Sequence, residues 1–254
     1  MKSVTPDQYK LDYIEPYSIG IPDPNTPLFE GVEWGCPSTL FTPAYWKAQY
    51  HLDETVNNQI NYTLGDNIIE EVVACLLGGF GIPSEHGVAM FQKLKSKKLI
   101  VPGVSLNQIL SVLTEKLIVK GNLIKYRFPN QKAKYIYNFL NHVNLHQIPV
   151  HDDLELRDWL TKVPGIGLKT ASWITRNYLN SEQVAILDIH IHRAGILAGI
   201  FNLGSDLNKD YLKLERIFID FCCKLNVKPS YMDALMWLQM KNSNRLALKA
   251  INMN

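Results

Sequence analysis

A lysine and an aspartate in the second half of the chain are the residues whose types and spacing could support catalysis. Lys169 lies in the segment LTKVPGIGLKTASWI, residues 160–174, and Asp188 follows nineteen positions later in VAILDIHIHRAG. An amine attacks an electrophilic carbon only when it is unprotonated, and free lysine, with a pKa of about 10.4, is almost wholly charged near neutrality. Burial that lowered this pKa to about 7–8 would let the amine act as a nucleophile and form a Schiff base. A carboxylate would stabilise positive charge that develops on the attacked group.

Both residues also have simpler explanations. Most lysines are solvated surface charges. An aspartate that follows an apolar run suits the N-cap of a helix, here the one predicted at 189–200. A capped carboxylate is also a positioned one, so the two roles are compatible for Asp188.

The segment around Lys169 reads as two helices joined by a tight hairpin. Pro164, Gly165 and Gly167 stop the first helix, and the second begins within five residues. Glycines allow positive φ and leave the backbone bare. Such a hairpin exposes amide N–H groups at a helix N-terminus, which can bind a phosphate oxygen. A plain turn between antiparallel helices is the alternative.

The elements that position these residues are predicted to be helices, so the fold class is mainly α. Asn67 to Leu77 reads as one helix, and Ser84 as the N-cap of a second at 85–95. Strand-like alternation is scarce. Further helical patterns lie at 105–120, 130–144, 153–162, 168–179, 189–200, 208–225 and 231–241.

The first 60 residues differ in composition from the rest. Seven of the thirteen prolines fall within residues 1–43, a density that breaks helices. Four aromatic residues in this segment favour burial, namely Trp34, Phe41, Tyr45 and Trp46. We therefore predict an irregular N-terminal extension at 1–60 that packs on a domain formed by residues 61–254.

Composition narrows the class of protein. Hydrophobic residues make up 46% and charged residues 20%, as in ordinary soluble domains. The N-terminus lacks a signal-peptide pattern, and the longest apolar stretch is too short to cross a bilayer, so we expect an intracellular protein, cytoplasmic (nucleoid) if prokaryotic, with no membrane contact. A net charge of +2 permits nucleic-acid binding without requiring it. We expect no zinc and no disulfide, because no two cysteines have CxxC spacing among Cys36, Cys75, Cys222 and Cys223.

The segment VPGIGLKTA resembles the hairpin of the helix-hairpin-helix (HhH-GPD) DNA glycosylases. Their signature is Pro-Gly-Val/Ile-Gly-x-Lys-x-Ala followed by a distal aspartate, and the nineteen-residue spacing resembles the branch that excises 8-oxoguanine. The resemblance covers about residues 65–241. It implies two helical subdomains flanking a DNA-binding cleft, Lys169 as nucleophile and Asp188 as essential carboxylate. It also implies AP lyase activity by β-elimination, a monomer, and double-stranded DNA containing a damaged base as partner.

The resemblance extends to phosphate and cofactor sites. His190 matches a histidine that contacts DNA phosphate, and a helix-surface histidine is the equal alternative. The iron–sulfur loop of some relatives needs four spaced cysteines, which this chain lacks. We therefore expect neither a cluster nor another metal.

A second motif, PSYMDALMWLQM, resembles the pocket helix of archaeal 8-oxoguanine glycosylases. It implies that Asp233 and Trp237 hold an extruded base, with the carboxylate accepting from guanine N1–H and N2–H. A Ser230–Asp233 capping box with Trp237 in the core is the alternative. Trp173 departs from the eukaryotic enzymes, which place a small residue there, and would shrink the pocket or add a stacking plate.

Two further groups are candidates for DNA contacts. Phe80 or Ile82, in the turn after the first helix, falls near the loop that pushes a wedge into the duplex in relatives. Four basic residues could bind phosphate or simply be solvated, namely Lys125, Arg127, Lys132 and Lys134.

Three functions fit these patterns. The first is an 8-oxoguanine glycosylase and lyase. The second is a glycosylase of the same mechanism for another modified base, which Trp173 favours. The third is a hairpin module that binds DNA without chemistry, although binding alone would need neither Lys169 nor Asp188.

Overall fold

The computed structural model describes residues 19–53, 63–79, 81–143 and 145–253. These residues contain eleven α-helices and two short two-stranded sheets, which confirms the mainly α prediction. No helix in the described ranges is both long and apolar enough to cross a bilayer. The chain divides into two compact units. Residues 60–188 form one, here called the continuous unit, and residues 1–59 with 189–254 form the other, here called the split unit.

The continuous unit contains the hairpin with Lys169. Its core is aliphatic and aromatic, with Phe91 and Phe139 fully buried. Helix α7 packs against α6 and α2, and α5 packs against α2 and α4. The elements are α2 (Ile68–Leu76), α3 (Ser84–Ser96), α4 (Leu106–Thr114), β3 (Leu117–Val119), β4 (Asn122–Ile124), α5 (Pro129–His142), a 3-10 helix (Leu145–Gln147), α6 (Asp153–Leu160) and α7 (Leu168–Leu179).

Two predictions in this unit are wrong in detail. The helix predicted at 105–120 ends at Thr114, and β3 and β4 follow as an antiparallel hairpin. Lys120 and Gly121 connect the strands with φ of 51° and 78°, the conformation of a two-residue hairpin turn. Ser84 is the first residue of α3 rather than its N-cap, which is Pro83.

The split unit combines the first part of the chain with its last helices. Helix α10 packs against α8, α9 and α1, and α11 packs against α8. Trp34 and Trp46 are buried, as their aromatic character predicted. The elements are β1 (Pro27–Phe29), β2 (Val32–Glu33), α1 (Pro43–Leu52), α8 (Ile189–Leu197), α9 (Tyr211–Leu225), α10 (Pro229–Asn242) and α11 (Asn244–Met253).

The N-terminal segment is more regular than its proline content predicted. Pro43 is the first residue of α1, where its fixed φ is favourable and its missing N–H costs no hydrogen bond. Thr42 caps the helix by accepting from the backbone N–H of Tyr45. The division into an extension at 1–60 and one domain at 61–254 stays a prediction, and residues 1–18 of that extension lie outside the described residues.

Candidate functional site

The hairpin between α6 and α7 is held by its own backbone and by a neighbouring aromatic ring. The N–H of Ile166 donates to the carbonyl of Val163 over 3.0 Å. Gly165 has a φ of +94°, as a tight turn requires. A Cβ at Gly165 would lie 2.5 Å from a ring carbon of Tyr135, on α5. Glycine is therefore required here by both conformation and packing.

Gly167 is a different case. It is the N-cap of α7 with a φ of −96°, so it does not use the positive φ that glycine allows. A Cβ at this position would meet no protein atom within 4 Å. Since glycine supplies no capping side chain, the first-turn amides of α7 have neither an intrahelical acceptor nor a side-chain cap. Folding does not demand glycine here, whereas close approach of a ligand would.

Gly167→Asp tests whether this bare N-terminus binds phosphate. The carboxylate would cap the amides and repel an anion, so affinity for lesion and undamaged duplexes should fall by similar factors, because phosphate contacts carry no sequence information. Fluorescence anisotropy with both duplexes measures this. Gly204→Asp, at another exposed glycine with nothing within 4 Å, is the matched charge control. A loss confined to lesion DNA would contradict the placement of the hairpin on phosphate.

Lys169 is the second residue of α7, and its side chain is exposed. The burial expected for its amine is therefore absent from the protein alone. Trp173 and Arg176 follow along α7, and the Arg176 guanidinium lies 5.8 Å from the centre of the Trp173 ring. The indole Nε1 of Trp173 is enclosed and has no hydrogen-bond partner among the described residues.

Asp188 follows a buried, irregular segment. Val184, Ala185 and Leu187 are all buried, which fixes the backbone that leads to the carboxylate. Asp188 is half-buried and directly precedes Ile189, the first residue of α8. This is the N-cap position, so the structural role considered above remains compatible with a catalytic one.

Helix α10 carries Asp233 and Trp237, the two residues that the resemblance assigns to binding an extruded base. The helix begins at Pro229 with Lys228 as N-cap, and it has no side-chain cap. The Ser230–Asp233 capping box is therefore wrong, because Ser230 already lies inside the helix. Asp233 is only 2% exposed, and Trp237 is 40% exposed rather than part of the core. Helix α10 thus carries a buried carboxylate one turn before an accessible indole.

The comparisons with known proteins agree with this architecture. Residues 54–227 match the family described as 8-oxoguanine DNA glycosylase, a match that covers more than half of the chain. The chain belongs to the 8-oxoguanine DNA glycosylase family. The family match includes Lys169 and Asp188 and ends before α10, so Asp233 and Trp237 lie outside it.

Individual relatives are similar over part of their length. The 8-oxoguanine DNA glycosylase/AP lyase of Metallosphaera sedula is 30% identical over 126 residues, which cover 44% of this chain and 57% of that protein. The corresponding enzyme of Sulfolobus acidocaldarius is 31% identical over 128 residues, 46% of this chain and 60% of its own. The similarity thus spans less than two thirds of these curated relatives.

Solved structures share the fold. The 8-oxoguanine DNA glycosylase of Methanocaldococcus jannaschii superposes with a TM-score of 0.57 at 21% identity, covering 79% of this chain and 94% of that one. An endonuclease III trapped as a covalent intermediate with DNA gives 0.55 at 16% identity, covering 76% and 81%. This family member therefore has the endonuclease III-like fold.

Within this family member, three residues of the split unit form a cluster that the sequence only partly revealed. The His190 ring packs edge-on against Trp237, with centroids 6.4 Å apart. The Lys241 ammonium lies 4.6 Å from the centre of the same indole, in cation–π distance. Lys241 was missed, although its place four residues after Trp237 puts both on one helix face.

The turn after α2 differs from the wedge expected there. Ile82 is buried, which does not fit a residue inserted into a duplex, and Phe80 lies outside the described residues. Arg127 and Lys132 donate to backbone carbonyls of this turn, at Gly81 and Gly78 respectively. The sequence assigned these two side chains to DNA phosphate, and phosphate binding would have to compete with these intramolecular hydrogen bonds. Lys125 and Lys134 are exposed.

No group of three or more His, Cys, Asp or Glu side chains that could hold a metal ion occurs in the part of the chain that the structure describes.

Proposed function

We propose that this chain is a DNA repair glycosylase that flips out and excises a damaged guanine, 8-oxoguanine, and then cleaves the strand as an AP lyase. One observation carries the proposal. An exposed lysine stands two residues after a bare, uncapped helix N-terminus, inside the region that matches the family. The names of the two curated relatives, 8-oxoguanine DNA glycosylase/AP lyase, support the same activity.

The proposed chemistry begins at the amine of Lys169. Its nitrogen attacks C1′ of the damaged nucleotide, the C1′–N9 bond breaks, and the electron pair leaves with the base, which takes up a proton. The nitrogen now bound to C1′ loses a proton and the C1′–O4′ bond opens, with O4′ taking up a proton, which gives the Schiff base. This Schiff base can lose a C2′ proton and expel the 3′ phosphate by β-elimination. Asp188 stabilises the positive charge on the sugar and can relay a proton.

Bound DNA would supply the desolvation that the free protein lacks. Lys169 is exposed, so its amine is well solvated before substrate arrives. An extruded sugar placed over the start of α7 would exclude this water from the site of attack. The nucleophile would then be activated chiefly in the complex.

Docking of DNA is assigned to the hairpin. The amides after Gly167, with Gly165 shaping the turn, would bind a phosphate oxygen, and His190 would add a second phosphate contact. The protein would act as a monomer, as the family resemblance implies. The partner is double-stranded DNA containing a damaged base.

Base recognition is assigned to Asp233, Trp237 and Trp173. Asp233 would accept from N1–H and N2–H of an extruded guanine, a pairing that adenine and the pyrimidines cannot offer. Trp237 would stack on the base, as its 40% exposure permits. Trp173 would narrow the pocket or supply a second stacking plate.

Asp233→Asn tests this assignment. One acceptor becomes a donor that faces the two guanine hydrogens, and an unpaired buried polar group costs about 1–3 kcal/mol, so 8-oxoguanine release should fall roughly ten- to a hundredfold. Trp237→Ala should also slow release. Single-turnover kinetics measure both, with incision of a preformed abasic site as the control that isolates base reading from lyase chemistry.

The exposed Asp220 on α9 offers a matched substitution, Asp220→Asn, that makes the same chemical change away from α10. If Asp233→Asn released 8-oxoguanine at the normal rate, the residues that recognise the base would have to be sought around Trp173.

A panel of duplexes with single lesions tests the whole proposal. The protein should release 8-oxoguanine and nick the strand at that site. Release of another modified base instead would favour the second candidate, a glycosylase of the same mechanism. The bulky side chain of Trp173 is the observation that raises this candidate. Tight binding without release of any base would leave a non-catalytic hairpin module.

A further inference from the structure

One short segment satisfies the carbonyls of the glycine-rich turn between α2 and α3. Tyr126 donates its hydroxyl to Leu77, and Lys132 donates its ammonium to Gly78 over 2.6 Å. Arg127 donates to Gly81 over 2.9 Å. These three donors lie within seven consecutive residues at and before the start of α5. The turn is thus fixed from one side.

Further contacts within the turn make its conformation dependent on the side chains that donate to its carbonyls. The N–H of Ile82 donates to the carbonyl of Gly79, which closes the turn on itself. A Cβ at Gly81 would lie 2.7 Å from the guanidinium of Arg127, so glycine allows the close approach. Lys132 is half-buried, and burial lowers the pKa of its ammonium. Its ammonium is thus partly withdrawn from solvent and donates to Gly78.

The same helix also contacts the hairpin. Tyr135 follows Lys132 by three residues, so the two side chains lie on one face of α5, roughly one turn or about 5 Å apart. The Tyr135 ring is the group that excludes a Cβ at Gly165. Helix α5 therefore touches the glycine turn through Lys132 and the hairpin through Tyr135.

We infer that Lys132 is a positioning residue that ties the backbone at Gly78 to the hairpin through α5, so that the hairpin meets DNA in a preformed position. This inference rests on the proposed function for its effect on excision. A lysine that bound phosphate would need its ammonium in solvent. Lys132 instead uses it on Gly78, whereas Lys125 and Lys134 are exposed in the same segment.

The energetic consequence is local. Removing the ammonium leaves the Gly78 carbonyl without this donor and removes one of the three side-chain anchors of the glycine-rich turn. The glycines then allow the turn many conformations, which must be lost again on binding. The hairpin and Lys169 would meet a less well-aligned duplex, and a displacement of about 1 Å can lower a rate by about 10²-fold.

Lys132→Met tests the inference, with Lys134→Met as the matched charge loss two positions away. Binding to a short undamaged duplex is measured as a function of salt. When one phosphate contact is lost, the magnitude of the negative slope of log K against log salt falls by about 0.9. Lys132→Met should leave the slope within error of wild type, while its single-turnover excision rate at saturating enzyme falls about 10- to 100-fold. Lys132→Arg, which restores a donor, should recover most of that rate.

Hydrogen exchange provides a readout that does not need catalysis. In the free protein, the Ile82 amide should exchange at least about tenfold faster in Lys132→Met than in wild type or Lys134→Met, because its turn has lost an anchor. Unchanged exchange at Ile82, with a salt slope reduced by about 0.9, would overturn the inference and make Lys132 a phosphate contact. If wild type excises no lesion, the proposed function fails, yet exchange and salt slope still decide the role of Lys132.

Discussion

Replacing Lys169 by glutamine is expected to abolish covalent capture of the protein on lesion DNA. Borohydride reduces the Schiff base between the amine and C1′, so trapping requires an amine at the attacking position, and an amide cannot form that adduct. Excision should fall by at least about 10³-fold, the scale seen when a nucleophile is removed from other enzymes. Denaturing gels with labelled duplex measure trapping, and single-turnover assays measure base release and nicking separately.

The control for this experiment is Lys213→Gln, which makes the same change at an exposed lysine of α9. It should trap as well as wild type does. Binding of Lys169→Gln to lesion DNA should be nearly retained, because the hairpin amides are unchanged. Trapping or cleavage by Lys169→Gln at the wild-type rate would mean that another nucleophile acts.

Asp188→Asn is expected to lower the excision rate by at least about 10²-fold while affinity for DNA is nearly unchanged. The amide keeps the size of the side chain but loses the negative charge that would stabilise the sugar and the basicity that would relay a proton. Anisotropy gives the affinity, and single-turnover assays give the rate.

The N-cap position of Asp188 dictates a second variant. Serine caps helices about as well as aspartate, so Asp188→Ser should keep the melting temperature near that of wild type and still lose the rate. Asp188→Ala removes cap and charge together and should lower both. If rate and affinity fell by equal factors in Asp188→Asn, the residue would be a structural cap only.

The sequence predicted most accurately the helices whose ends are marked by residues that start or stop a helix. Helix α7 was predicted at its observed bounds because Pro164 and two glycines mark its start and an apolar period runs through it. The run LIVK at residues 117–120 was assigned to the helix predicted at 105–120, because a short apolar run does not distinguish helix from strand. The Lys120–Gly121 turn was the available signal for the β3–β4 hairpin.

Side-chain environment was harder to predict than secondary structure. The sequence indicated Lys169 by motif, yet its exposure depends on which elements cover α7, and the burial we expected is absent. The contact between Lys132 and Gly78 joins residues 54 positions apart, so no local pattern reveals it. The proximity of Lys241 to Trp237 could have been predicted, since both lie on one helix at a spacing of four.

The division of the chain has a consequence for synthesis on the ribosome. Residues 60–188 are contiguous, so the continuous unit can complete its core while later residues are still being translated. The N-terminal part of the split unit must wait. Tyr45 donates to Gln239, and Tyr50 packs edge-on against Tyr231, both made at the far end of the chain. Until α10 emerges, the aromatic side chains of α1 are without these partners, and this is the interval in which a chaperone or a misfolding event would act on the nascent protein.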